Sequence, residues 1–430
     1  MSESQSDSTQ STGADRPAPR RESNPLVAAA RVLVLIGGLC LIALGLLAGG
    51  IGLLAGFLEP DDRLVLVTVV ASTMTLTLGL GSALAWQAFN SIQGRGSHWF
   101  RPRLVGIWVI VFLLAVLIGQ TILVSDWKPA LSFPAFHILA SVLPPLIIVA
   151  WVAHGLGRAA RSRDVVLQLG SGALVATVLA FSMEMVMVIG LLAIILAGVA
   201  IQPGGLEQIQ ALAGRLQDAA WLEEPGNLSA LAQSPLVIVS AFLVFAVAVP
   251  LIEELVKTVG VPLRAYRRPS MAQALVWGLA GGAGFALAEG LFNSLGGLES
   301  WAMIVSFRVG ATLLHCFTGA LMGLAWYQAL VQKRWSWALG LYALSAGTHG
   351  LWNALVATTA LTSLGRQPSE TVGLGTAVPF ALLALLALAV AMGLLLLTQL
   401  VRSHDPASPL EAQAVPLAEA TAPTADISGE

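Results

Sequence analysis

The chain has 430 residues, of which 56% are hydrophobic and 11% charged, with a formal net charge of −2 and a mean hydropathy of +0.80. So apolar a composition excludes an ordinary soluble domain, and the near-neutral charge offers no basic stripe for nucleic acid. The two cysteines, Cys40 and Cys316, both lie inside apolar runs, which excludes a disulfide framework.

The chain opens on a polar stretch, 1–26, rich in Ser, Thr, Pro, Ala and acids, and closes on a similar one, 403–430. Neither carries enough apolar surface to repay ordering, so both are predicted to be disordered tails. No short apolar region with a small-residue cleavage site precedes the first long run, which is therefore expected to be retained. Ten apolar segments of spanning length follow, roughly 32–58, 64–89, 104–124, 133–153, 172–200, 236–258, 274–296, 303–329, 337–361 and 377–400. Backbone hydrogen bonding in lipid makes them helices, and the fold class is an all-α polytopic membrane protein with about ten transmembrane helices.

Basic residues recur on alternate connections: Arg95, Arg101 and Arg103; Arg158, Arg161 and Arg163; Arg264, Arg267 and Arg268; Lys333 and Arg334. Those loops are expected to be cytoplasmic, which with ten spans puts both termini inside. Arginine outnumbers lysine, a bias that points to a GC-rich bacterial genome and so to the bacterial cytoplasmic membrane. The chain divides into spans one to five (27–201), an external loop (202–235), spans six to nine (236–361) and a last span (362–402). Within the external loop, Leu206, Ile209, Leu212 and Leu216 recur at helical intervals and predict an amphipathic helix.

An ionisable side chain at a helix centre costs about 2.5–3.5 kcal/mol on insertion scales. Spans six to nine carry a concentration of them: Glu253, Glu254 and Lys257; Glu289; Arg308 and His315; and His349. Lys257 lies three residues from Glu254 and four from Glu253, so it can pair with either and leave the other free. Phe285 shares a face with Glu289, Arg308 with His315, and His349 with Asn353. Gly278, Gly281, Gly282 and Gly284 on span seven, and Gly319 and Gly323 on span eight, allow close helix approach. His137 reads as a packing residue, and Glu184 as a structural acid or a partner to a base elsewhere.

The succession EELVK, GFALAEG, RVGATLLHCFTGALMG and THGLWNAL over about 250–355 resembles the PrsW family of intramembrane proteases, part of a larger group with CAAX prenyl proteases and bacteriocin-immunity proteins. The family pattern of EExxK, FxxxE, an isolated membrane His and a final HxxxD or HxxxN falls on Glu253, Glu254 and Lys257; Phe285 and Glu289; His315; and His349 with Asn353. Gly290 follows Glu289 where many relatives have Asn, and the nearest Asn is Asn293.

The resemblance implies peptide hydrolysis on a membrane-anchored protein substrate, with regulators such as anti-sigma factors as the analogy. Glu253, Glu254, Glu289, His315 and His349 are the expected catalytic residues, supported by Lys257, Phe285, Arg308 and Asn353. Glu253 or Glu254 would serve as base, and His315, His349 and Asn353 would position water or stabilise the oxyanion. Glu254, Glu289, His315 and His349 could instead hold Zn²⁺, but no HExxH helix or thiolate cluster is present, which favours a metal-free site. Competing readings are a proton-coupled transporter or channel with a Glu and His relay, a haem protein with axial His315 and His349, and a scaffold ordered by its charges.

Overall fold

The structure is a computed structural model that describes residues 25–58, 63–126, 128–224, 226–227, 230, 233–363 and 374–404. The two tails expected to be disordered lie outside the described residues, except that Pro25 and Leu26 already belong to the first helix and Ser403 and His404 to the last.

The chain is helical throughout its membrane part. The elements are α1 (Pro25–Leu58), α2 (Arg63–Ile92), α3 (Val105–Ser125), α4 (Pro129–Gly155) and α5 (Ser162–Ala200). After them come two short helices, α6 (Gly205–Gln217) and α7 (Ala219–Glu223), in the loop predicted to be external. The remainder are α8 (Pro235–Val256), α9 (Met271–Asn293), α10 (Trp301–Trp326), α11 (Trp335–Ser363) and α12 (Leu374–His404).

Among the described residues, nine helices are long and apolar enough to cross a membrane. The ninth predicted span, α11, is a continuous helix of 29 residues, but Ser345, Thr348, His349 and Asn353 dilute its apolar character. It is long enough to span and carries polar chemistry.

Leu206, Leu212 and Leu216 of α6 are exposed, so its apolar stripe is turned away from the bundle. That face suits the membrane interface.

The hub is α9, with 89% of its most apolar window buried, against 17% for α1 and 6% for α5. Its glycines explain why: a Cβ on Gly282 would collide with the His315 carbonyl of α10, and one on Gly172 of α5 with the Gly281 carbonyl. Small residues therefore let α5 and α10 meet the α9 backbone, which carries the neighbouring side chains close enough to interact.

At the far end of α9, His137 accepts from Trp301 Nε1 through Nδ1 (3.2 Å) and donates from Nε2 to the Leu291 carbonyl (3.0 Å). Both ring nitrogens are thus satisfied, and His137 joins α4, α9 and α10 as a packing residue.

Three π-turns occur among the described residues, Ser171–Ala176 in α5, Leu243–Ala248 in α8 and Tyr327–Val331 directly after α10. Such turns widen a helix and often occur near functional sites. The second lies one turn before Glu253.

Candidate active site

The α8 segment ends in PLIEELV, and Lys257 follows as its C-terminal cap, its amide donating to the Glu253 carbonyl at 2.9 Å. A lysine here suits the negative end of the helix dipole. Glu253, Glu254, Lys257 and Thr258 are all buried. The chain then continues through a turn into a 3₁₀ helix, Pro262–Arg267, which carries Arg264 and Arg267 of the basic loop. Glu253 comes together with His315 and His349, which lie near the middles of α10 and α11.

Lys257 forms a fully buried ion pair with Glu254 and donates to Thr318 Oγ1 at 2.6 Å. The Thr318 hydroxyl in turn donates to the Leu314 carbonyl at 3.0 Å. Burying these charges is tolerable only because each has a specific partner. Glu254 Oε1 also accepts from His349 Nδ1 at 2.8 Å. The other ring nitrogen of that histidine, Nε2, lies 3.7 Å from Glu253 Oε2.

A second carboxylate organises the other histidine. Glu289 Oε2 accepts from His315 Nε2 at 2.8 Å and from Arg308 at 3.0 Å. Phe285 packs against the His315 ring, with centroids 5.4 Å apart. The two histidine rings meet edge to face at 5.0 Å.

The consequence is a division of labour among the glutamates. Glu254 and Glu289 each hold one nitrogen of a histidine, whereas Glu253 does not; Glu253 Oε2 and His315 Nδ1, like Glu254 Oε2 and Glu184 Oε1, are buried without a hydrogen-bond partner. Ligand atoms of Glu253, His315 and His349 lie within 4.8 Å of one another. Carboxylate plus two imidazoles is a donor set that suits Zn²⁺, with a fourth position left for water or substrate. Imidazole held through its other nitrogen by a carboxylate is the usual outer-shell arrangement around such ions. These residues therefore fit a divalent cation. The geometry groups Glu253 with the histidines, where the sequence reading places Glu254 and Glu289 among the ligands.

Asn353 differs from its expected place near the water or oxyanion. Its Nδ2 donates to the Phe245 carbonyl at 2.9 Å, tying α11 to the π-turn of α8. The sequence reading misses Thr318, the lysine's second partner. Its position one turn after His315, on the same face of α10, is the signal that could have found it. Glu184, from α5, interacts directly with Glu253, so span five also reaches the cluster.

Arg308, with Arg163, Arg264 and Trp277 elsewhere, retains a buried donor lacking an acceptor. Arg308 and Glu289 remain about one-fifth exposed, which puts them at the edge of the cluster, while Glu254 and Lys257 are completely enclosed.

No curated protein and no solved structure matches this chain. The family described as PrsW family intramembrane metalloprotease matches residues 161–392, which takes in every member of the cluster. That match covers more than half of the 430 residues, and the chain belongs to this family of membrane-embedded peptidases.

Proposed function

We propose that the protein cleaves membrane-anchored protein substrates at the cluster of Glu253, His315 and His349, and that these three residues hold a divalent cation such as Zn²⁺. The observation that carries this reading is the pairing of each histidine: one nitrogen is held by Glu254 or Glu289, leaving His315 Nδ1 and His349 Nε2 beside Glu253.

When bound, the cation supplies Lewis acidity for polarising a water or a scissile carbonyl. The chain's own residues do the rest. Glu254, neutralised by Lys257, fixes the orientation of the His349 ring, and Glu289, neutralised by Arg308, fixes His315. With Glu253 taken up as a ligand, Glu184 beside it is the carboxylate left to take a proton from water, and Arg308 lies at the more exposed edge of the cluster. The surrounding apolar helices exclude bulk water and strengthen these interactions.

Dialysis against a chelator is expected to abolish cleavage of a reconstituted membrane substrate, and added Zn²⁺ to restore it. Full activity after verified metal removal would instead assign the chemistry to Glu253 as base with the histidines positioning water, the metal-free reading of the sequence.

We also propose that both termini face the cytoplasm. The basic loops after α2, α4, α8 and α10 fall at one end of the bundle by alternation of the helices. A topology reporter fused at residue 266 should behave as internal and one at residue 215 as external. The opposite pattern would invert the protein.

A further inference from the structure

A second polar site lies at the basic end of the molecule, away from the Glu and His cluster. Here the loop after α2 pairs with the loop after α4: Phe100 donates to the Ala160 carbonyl (3.0 Å) and Ser162 to that of His98 (2.9 Å). Beside this patch is a cavity of about 240 Å³ whose walls include Arg161, Arg163, Asp164, Arg267 and Trp277. Trp277 stands three turns before Glu289 on α9, roughly 18 Å along the helix axis.

The charges there do not balance internally. Asp164 forms an ion pair with Arg264, and Arg267 approaches the same oxygen at 3.8 Å. One carboxylate thus answers two arginines and leaves Arg161 and Arg163 in excess. Arg161 stacks over Trp99 (5.3 Å) and Arg264 over Trp277 (5.0 Å), which holds both guanidinium planes in place. Arg163 is anchored by a bond from its Nη2 to the Arg95 carbonyl at 2.9 Å.

Unused donors remain inside this frame. Arg163 Nε and Trp277 Nε1, both on cavity-lining residues, and Arg264 Nη1 behind them are buried without an acceptor. A buried donor without a partner is costly, and three together, surrounded by excess positive charge, call for an anion with several acceptor oxygens. Guanidinium groups match phosphate oxygens in geometry as well as charge. The cavity is smaller than the roughly 300–1,000 Å³ typical of a pocket for a drug-sized ligand. It suits a phosphate with a small substituent.

We propose that this cavity is a phosphate-binding site joining α5, α9 and the segment that follows the EELVK helix. Its position at the basic end of the bundle admits two sources of that chemistry, the headgroup of an anionic phospholipid or a free phosphate compound. In either case the ligand braces the 3₁₀ helix Pro262–Arg267, only a few residues beyond Lys257.

The test uses the full-length protein in nanodiscs and follows its unfolding temperature. Replacing part of the phosphatidylcholine by phosphatidylglycerol should raise the midpoint by roughly 3–6 °C. A parallel series in pure phosphatidylcholine with added inorganic phosphate tests the soluble source. A rise with the lipid alone assigns a headgroup, and a rise with phosphate alone assigns a soluble ligand. Each rise should fall by at least half in Arg267→Gln, whose side chain is partly exposed, or in Trp277→Phe, which keeps the ring and removes the donor. Absence of both rises in the wild type, or rises of unchanged size in both variants, would overturn the site and leave its donors to ordinary hydration.

Discussion

Glu253→Gln is expected to lower cleavage of a reconstituted membrane substrate by a factor on the order of 10²–10⁴ while leaving the protein folded. Gln preserves the shape of the side chain and removes its charge and its ability to accept a proton. Glu253 Oε2 makes no hydrogen bond, and an amide at this position can still donate to Glu184, so the substitution preserves that contact. If the residue also ligates a cation, the amide is a poorer donor and metal content should fall with activity.

The comparison that gives this result its meaning is Glu254→Gln. That side chain is held by both Lys257 and His349, and its loss should disturb stability together with activity. The measurements are single-turnover cleavage, metal content and thermal unfolding of each variant. Wild-type cleavage by Glu253→Gln would sink the assignment of this carboxylate to the chemistry, whatever the metal content.

The difference between these neighbouring glutamates marks where the sequence stops being informative. Helical spacing shows that Lys257 can reach either carboxylate, because both i,i+3 and i,i+4 neighbours lie beside it. It does not show which one it takes, since that depends on the rotation of α8 against α10 and α11. In the structure Thr318 on α10 draws the ammonium toward Glu254, and His349 on α11 occupies the same oxygen. Those are contacts between helices, and periodicity within one helix is silent about them.

The same limit applies to the candidate metal site. Glu253, His315 and His349 come from three separate helices, so a search for a compact ligand motif along the chain finds nothing even where the fold assembles a ligand set. Asn353 shows the same limit at a single side chain. Its spacing from His349 puts it on the correct face, but the π-turn in α8 presents the Phe245 carbonyl to it, and its amide goes there. The spans were readable because lipid forces every backbone group into a helix, a constraint that acts locally and leaves a continuous apolar run. Gly282 was readable as a close-approach residue but not as the one that meets the His315 carbonyl.

Lys257→Met is expected to destabilise the protein by about 3–5 kcal/mol, the usual consequence of removing one member of a buried ion pair. Methionine fills much of the lysine stem's volume, so the effect isolates the ammonium. Without it, Glu254 is an enclosed carboxylate whose remaining neighbour is His349, and Thr318 loses the donor to its hydroxyl. Adding Glu254→Gln to the same protein removes the uncompensated charge and should recover a large part of the loss, because replacing both partners of a buried pair is often close to neutral. Activity should not follow stability in this double variant: the introduced amide presents no carboxylate to His349, so the ring loses its charged restraint while the fold is regained. Thermal unfolding in one detergent, measured beside cleavage for the two single variants and the double, separates these effects. A Lys257→Met protein less than about 1 kcal/mol weaker than wild type would mean that Glu254 is neutral in the folded state and that the pair is an ordinary hydrogen bond.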